Sequence, residues 1–183
     1  MQVLIAIGMT ATLLLVVSRV WLALDDVSMI LPVWSPAAAG LGVLLGLGIS
    51  GMSAIAYRLW AAYRDSADYF LNLVLRPLAL PDVLWLGVLP GLSEELLFRG
   101  VMLPAIGLNW FGVLVSSLCF GVLHFNGTRH WSYVAWASVI GATLGLVALY
   151  TSNLLIPIVA HTTTNLLSSW LWKLQHPPQS ADA

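Results

Sequence analysis

Long apolar runs separated by short polar interruptions dominate the pattern of this chain. Six runs stand out: Val3 to Leu24, Ala37 to Leu59, Leu84 to Ile106, Trp110 to Phe125, Trp131 to Tyr150 and Leu154 to Trp172. A helix needs about 20 mostly apolar residues to cross a bilayer. The pattern therefore predicts an all-α, polytopic membrane helix bundle of about six transmembrane helices. The first run could be read as a signal peptide, but it has no basic segment before it and is too long for one, so it is read as a span. Asp25 to Ser35, with Pro32 and Pro36 as breakers, reads as a loop. Tyr57 to Asp82 is the longest polar stretch and holds Arg58, Arg64, Asp65, Asp68, Arg76 and Asp82. It reads as an interfacial segment and partial helix that ends near Pro77 and Pro81. No internal repeat or boundary divides the chain. The expectation is one integral membrane domain over 1–183 with a motif-bearing core at about 84–172. Residues 1–59 would be two accessory spans and 60–83 an interfacial segment. The tail from Gln175, with Pro177 and Pro178, is expected to fray.

Composition sharpens this picture. Hydrophobic residues make up 60% of the chain and charged residues only 8%, against about 25% charged in soluble domains. That excludes a soluble enzyme and a disordered chain. It also excludes a nucleic-acid partner, because too little positive charge is present to meet phosphates. The lipid bilayer is the expected surrounding. The single Cys119 forms no internal disulfide and is expected to be a small buried hydrophobe. Gly42 and Gly46 form a GxxxG pattern with Gly48 beside it, which fits either a closely packed helix face or a loose apolar helix.

Arg58, Arg64 and Arg76 lie between spans two and three, Arg129 between four and five, and Lys173 after six. With six spans these share one side, so both termini are expected to be cytoplasmic. Arg19 is the exception, and it would snorkel or pair with Asp25 or Asp26.

Three charged residues sit inside an apolar run: Glu94, Glu95 and Arg99. Each ionised group at the bilayer centre costs about 2.5–3.5 kcal/mol, hence about 8–10 kcal/mol for all three if they faced lipid. Glu95 and Arg99 are four apart and share a helix face, which supports an ion pair. Glu94 points about 100° away and is left wanting a polar cavity, a proton or a metal. The alternative is that Glu94, with Ser93, caps a helix broken at Pro90-Gly91.

His124 ends the fourth run and, taken alone, reads as an interface histidine. His161 and Asn165 lie one turn apart on one face of the last run. There they form either a polar site or interhelical hydrogen-bond glue. Considered jointly, Glu94, His124, His161 and Asn165 come from three membrane segments, and a common polar pocket accounts for all of them. A carboxylate shielded from bulk water can act as general base, with imidazole and amide groups to hold water or meet an oxyanion. Glutamate with neutral histidine is also compatible with a hydrolytic metal site. No HExxH motif, phosphate-binding glycine loop or Ser-His-Asp arrangement is present.

The series Glu94-Glu95-xxx-Arg99, Phe120-xxx-His124 and His161-xxx-Asn165 resembles the CPBP family of intramembrane proteases, which includes the CAAX prenyl endopeptidases and the bacterial Abi proteins. The resemblance runs from about Leu84 to Trp172. It implies a helical membrane core around a glutamate-dependent hydrolytic site. Glu94 would activate the attacking water, and His124, His161 and Asn165 would position it or stabilise the oxyanion. Glu95, Arg99 and Phe120 would support them. Members are often named metalloproteases, and if zinc were the cofactor then Glu94, His124, His161 and Asn165 are its candidate ligands.

Eukaryotic relatives release a tripeptide from a prenylated C-terminus. The compact plan of this chain looks bacterial, so the implied setting is the inner membrane and the implied substrate a hydrophobic peptide or membrane-protein segment. The alternative is a non-enzymatic immunity or scaffold protein, or a small transporter, using the same pocket for binding.

Overall fold

In a computed structural model, which describes residues 2–177, the chain is all-α, with no strand among the described residues. Helix α1 is Gln2–Leu24, α2 is Pro36–Leu59 and α3 is Ala61–Leu75. Helix α4 begins as Val83–Glu95, runs through a π-helical turn at Leu96–Met102 and ends as Leu103–Ile106. Helices α5, α6 and α7 are Trp110–Leu123, Trp131–Thr151 and Leu155–Gln175. Ser35 starts α2 by accepting from the Ala38 amide, ahead of Pro36, whose missing N–H is not needed at that position. Asn109 does the same for α5.

The expected count of six spans is not met. Among the described residues, only α1, α2 and the helical stretch Thr128–Thr151 are long and apolar enough to cross a membrane alone. A fourth is reached if α3 and the stretch Leu80–Ile106, bent by 110°, count as one. Helix α5 has 14 residues, about 21 Å at 1.5 Å per residue, which is short of a ~30 Å hydrocarbon core. Helix α7 is long enough but carries His161, Asn165, Lys173 and three successive threonines. The apolar runs exist; what they lack is length in α5 and uniform apolarity in α7, whose polar middle faces protein.

Further expectations are tested at the level of single elements. The polar stretch holds the expected partial helix: α2 ends at Leu59, Trp60 is extended, and α3 is regular over fifteen residues and stops just before Pro77. Helix α4 is not broken at Pro90-Gly91, so Ser93 and Glu94 are interior to it and cap nothing. Ser93 bonds back to the Leu89 carbonyl instead. A proline is tolerated inside a membrane helix when neighbours support it, and α7 presses directly there. Cys119 is exposed on the outer face of α5, not buried. Helix α7 also continues through Gln175; the remainder of the expected frayed tail, from Pro178 to the C-terminus, lies outside the described residues. Arg19 makes no ion pair with Asp25 or Asp26 among the described residues, and Asp25 accepts from Trp21 Nε1 at 3.4 Å.

Helix α7 is the packing centre. A Cβ on Gly42 would lie 2.6 Å from Val159 Cβ, and one on Gly46 would lie 2.6 Å from the Ala160 carbonyl oxygen, so α2 packs backbone-close on α7. Gly48 faces open space, so only the Gly42-xxx-Gly46 pair is used. Gly91 of α4 abuts Thr162 in the same way. Two ends of the bundle are tied by polar contacts. At one, Asn153 exchanges hydrogen bonds with the Val33 backbone (2.8 and 2.9 Å), and the Leu154 amide donates to Leu31. At the other, Ser66 and Ser132 lie 2.9 Å apart, and Lys173 donates to the Leu78 carbonyl. The close approaches bring the middle of α4, the end of α5 and the middle of α7 together.

Candidate active site

The two adjacent carboxylates of α4 diverge, as one helical step requires. Glu95 turns inward and is fully buried, as is Arg99 one turn later. Glu95 Oε1 accepts from Arg99 Nη1 at 2.7 Å and from His161 Nδ1 at 2.8 Å. Arg99 Nη2 donates to the Gly141 carbonyl at 2.9 Å, and the guanidinium lies 4.3 Å from the centre of the Phe120 ring. The π-helical turn begins directly after Glu95 and carries Arg99. Such turns recur at functional sites because they re-aim side chains within an otherwise regular helix. The Gly100 carbonyl within it accepts from the Ile30 amide at 3.1 Å.

Because a carboxylate can only accept, His161 Nδ1 carries the proton, and Nε2 is the ring nitrogen left for other work. Glu95 thereby ties α4 to α7 and fixes the imidazole, while Arg99 ties α4 to α6.

Glu94 turns the other way. Its Oε2 is buried without a hydrogen-bond partner among the described residues and lies 4.0 Å from His124 Nε2. His124 Nδ1 is 3.0 Å from the Phe120 carbonyl and must donate to it, so a neutral His124 presents a lone pair at Nε2. A carboxylate oxygen and an imidazole lone pair are both acceptors. A donor with two hydrogens placed between them, such as water, satisfies both at once.

Glu94, His124, His161 and Asn165 all line one cavity of about 290 Å³. Phe120 lines it as well. Its ring is edge-on to Phe98 at 5.5 Å and to His161 at 5.7 Å, so it props the imidazole from below. The sequence reading missed the opposite wall, built from Tyr63, Ala67, Phe70 and Leu71 of α3 and from Tyr133 and Trp136 of α6. Phe70 stacks on Tyr133 at 4.3 Å, and Trp136 Nε1 donates to Ser53 at 3.1 Å. The spacing 63, 67, 70, 71, 74 is a helical stripe, and it was legible between the charges of that segment.

His161 keeps Nε2 free while Nδ1 is held by Glu95, but among the described residues no three His, Cys, Asp or Glu side chains are grouped to hold a metal ion. Zinc in hydrolytic sites takes three protein ligands and keeps an open position.

A family model described as type II CAAX prenyl endopeptidase Rce1-like matches residues 76–167. That range includes every residue of the three motifs. The chain is 33% identical to the Bacillus subtilis protein YpbD over 54% of this chain and 49% of that protein. It therefore matches only about half the length of that relative. It is 28% identical to an Escherichia coli protein of 24.3 kDa over 73% of this chain and 70% of that protein. Both relatives carry names that assign no activity. No solved structure matches.

Proposed function

This chain belongs to the Rce1-like family of type II CAAX prenyl endopeptidases, and we propose that it is an integral membrane endopeptidase hydrolysing a peptide bond in a hydrophobic or lipidated substrate. The observation that carries the reading is the facing pair of acceptors, Glu94 Oε2 and His124 Nε2, 4.0 Å apart on the wall of a cavity shared with His161 and Asn165.

A water held between the two acceptors gives one proton to Glu94 as its oxygen forms a bond to the substrate carbonyl carbon. The carbonyl π pair moves onto oxygen. The amide of Asn165 donates to the resulting oxyanion, and His161, held through Nδ1 by Glu95, offers its Nε2 lone pair to position the water. When the tetrahedral species collapses, the C–N bond breaks and Glu94 returns its proton to the departing amine. The products are a carboxylic acid and an amine, and one water is consumed.

Arg58, Arg64, Arg76, Arg129 and Lys173 define the cytoplasmic end in this reading, by the preference of Lys and Arg for that side. The pairs Asn153–Val33 and Leu154–Leu31 mark the opposite end. Both termini are then cytoplasmic and the membrane is the bacterial inner membrane.

The test is cleavage of an apolar peptide by the purified chain in detergent. Glu94→Gln keeps shape and removes the base, so it should lower turnover by at least about a hundredfold with unchanged expression and unfolding temperature. Turnover by Glu94→Gln equal to that of the parent refutes the mechanism.

A further inference from the structure

Hydrolysis in this cavity needs hydrogens as well as lone pairs. Glu94 Oε2 faces His124 Nε2 across 4.0 Å. Nδ1 of His124 donates to the Phe120 carbonyl and Nδ1 of His161 to Glu95, so both Nε2 atoms are acceptors. Asn165, one turn along α7 from His161, adds an amide. The tetrahedral species places negative charge on an oxygen, and sites for acyl transfer meet that charge with preorganised donors aimed at it.

Other hydroxyl and N–H groups on the wall are engaged or remote. Thr164 donates to the Ala160 carbonyl at 2.9 Å. Trp136 Nε1 donates to Ser53, and Tyr63 turns its hydroxyl to the same serine. Ser168 and Ser169 sit a further turn from His161, toward Lys173.

Tyr133 differs from these. It lines the same cavity, and its ring centre is 6.0 Å from that of His124. Phe70 stacks on the ring at 4.3 Å and 15°, and Tyr63 lies nearly parallel to it at 6.3 Å and 17°. The adjacent Ser132 is fully buried, donates to the Ala62 carbonyl at 2.7 Å and meets Ser66 at 2.9 Å. Those bonds clamp the first turn of α6 to α3. Ring and backbone are thus fixed by contacts that do not use the hydroxyl. The hydroxyl has no hydrogen-bond partner among the described residues and keeps its hydrogen to give. A rigid ring beside His124 with an uncommitted donor is a preorganised partner for charge that develops at the carbonyl oxygen.

We infer that Tyr133 is a further catalytic residue, whose hydroxyl donates a hydrogen bond to the oxyanion beside the Asn165 amide. No proton is transferred from it. Glu94 carries the proton from water to the departing amine, and the phenol keeps its own throughout. The inference rests on the endopeptidase reading above.

Tyr133→Phe removes the hydroxyl and keeps the ring that stacks on Phe70. The test compares this variant with the parent chain in detergent, using three probes. One is the cleavable apolar peptide. The second is the same peptide with N-methylated backbone amides, which resists cleavage and reports ground-state binding through tryptophan fluorescence. The third is a peptide phosphinate, whose tetrahedral phosphorus carries a charged oxygen where the reaction forms one. Tyr133→Phe should lower kcat by about a hundredfold. KM and the Kd of the N-methylated peptide should change by less than about twofold, and the phosphinate should bind at least about tenfold more weakly. The unfolding temperature should stay at the parent value.

A Tyr133→Phe chain with the kcat of the parent overturns the inference. So does equal weakening of the N-methylated peptide and the phosphinate, because the hydroxyl would then serve substrate binding alone. Glu94→Gln separates the two readings. A parent that cuts no peptide, or Glu94→Gln as fast as the parent, refutes the endopeptidase mechanism on which the role of Tyr133 depends. Glu94→Gln inactive with Tyr133→Phe fully active refutes the role of Tyr133 alone.

Discussion

Arg99 and Glu95 are opposite charges with no exposure to lipid or water, joined at 2.7 Å. Removing one partner of a buried pair leaves an uncompensated charge and costs about 3–5 kcal/mol, far more than the pair itself contributes. Arg99→Met should therefore lower stability by about that amount, measured by thermal unfolding in detergent. Arg99→Met combined with Glu95→Gln should recover much of the loss, because no lone charge remains. Glu95→Gln alone keeps an acceptor for His161, so its stability loss should come mainly from the stranded guanidinium. At the candidate site, incubation with a metal chelator should leave peptide cleavage unchanged, because no three-donor group is assembled there. Cleavage lost to chelation and restored by zinc would contradict this. The ion pair was legible from its i, i+4 spacing alone. That His161 would be the third member was not, because 66 residues separate it from Glu95 and only packing closes that gap.

Helices are held here by what is missing from them. Gly46 lets α2 approach the backbone of α7, while Gly48, two residues on, faces open space. Gly46→Val should cost about 1–3 kcal/mol by overpacking. Gly48→Val should change stability by no more than about 0.5 kcal/mol. A pair of variants that unfold alike would show that α2 does not pack as described. The sequence pattern Gly42-xxx-Gly46 raised the choice between packed and loose, and tertiary contact decides it. Helix α3 was legible in part, as a helix ending near Pro77. Its charges at Arg64, Asp65 and Asp68 suggested an interfacial stretch, yet the stripe from Tyr63 to Val74 faces the cavity. Charge content marked the polar side of that helix, and its apolar stripe went unweighed.

Over the whole molecule, five of the seven Lys and Arg residues, Arg58, Arg64, Arg76, Arg129 and Lys173, lie toward one end, and the Asn153–Val33 clasp closes the other. Single cysteines at Arg64, Arg129 and Lys173, in a Cys119→Ser background, should react with an impermeant thiol reagent only when the cytoplasmic face is open. A cysteine at Asp26 should react from the opposite face. Labelling of all four from one side would overturn the orientation. The count of six spans failed for a reason at this scale. Helix α5 is short, and α7 is polar where it carries His161 and Asn165. The polar middle of α7 is tolerable because α2, α4 and α6 surround it, while α5 packs on α4 and α6 and leaves its outer face exposed. Hydropathy along a chain measures affinity for lipid, not whether a neighbour takes the place of lipid.

The sequence by itself determined that this is a helical membrane protein, because 8% charge leaves no other solvent suitable for so much apolar surface. It also determined which charges lie inside, because scarcity makes Glu94, Glu95 and Arg99 conspicuous, and it set Glu95 and Arg99 on one face, because helical spacing is local. Only the tertiary structure decided that Glu94 faces His124 across 4.0 Å while Glu95 grips His161. Only it made α3 a cavity wall and exposed Cys119. Each of these depends on side chains from helices distant in sequence meeting in space, and helical period carries no information about which helix a face will meet.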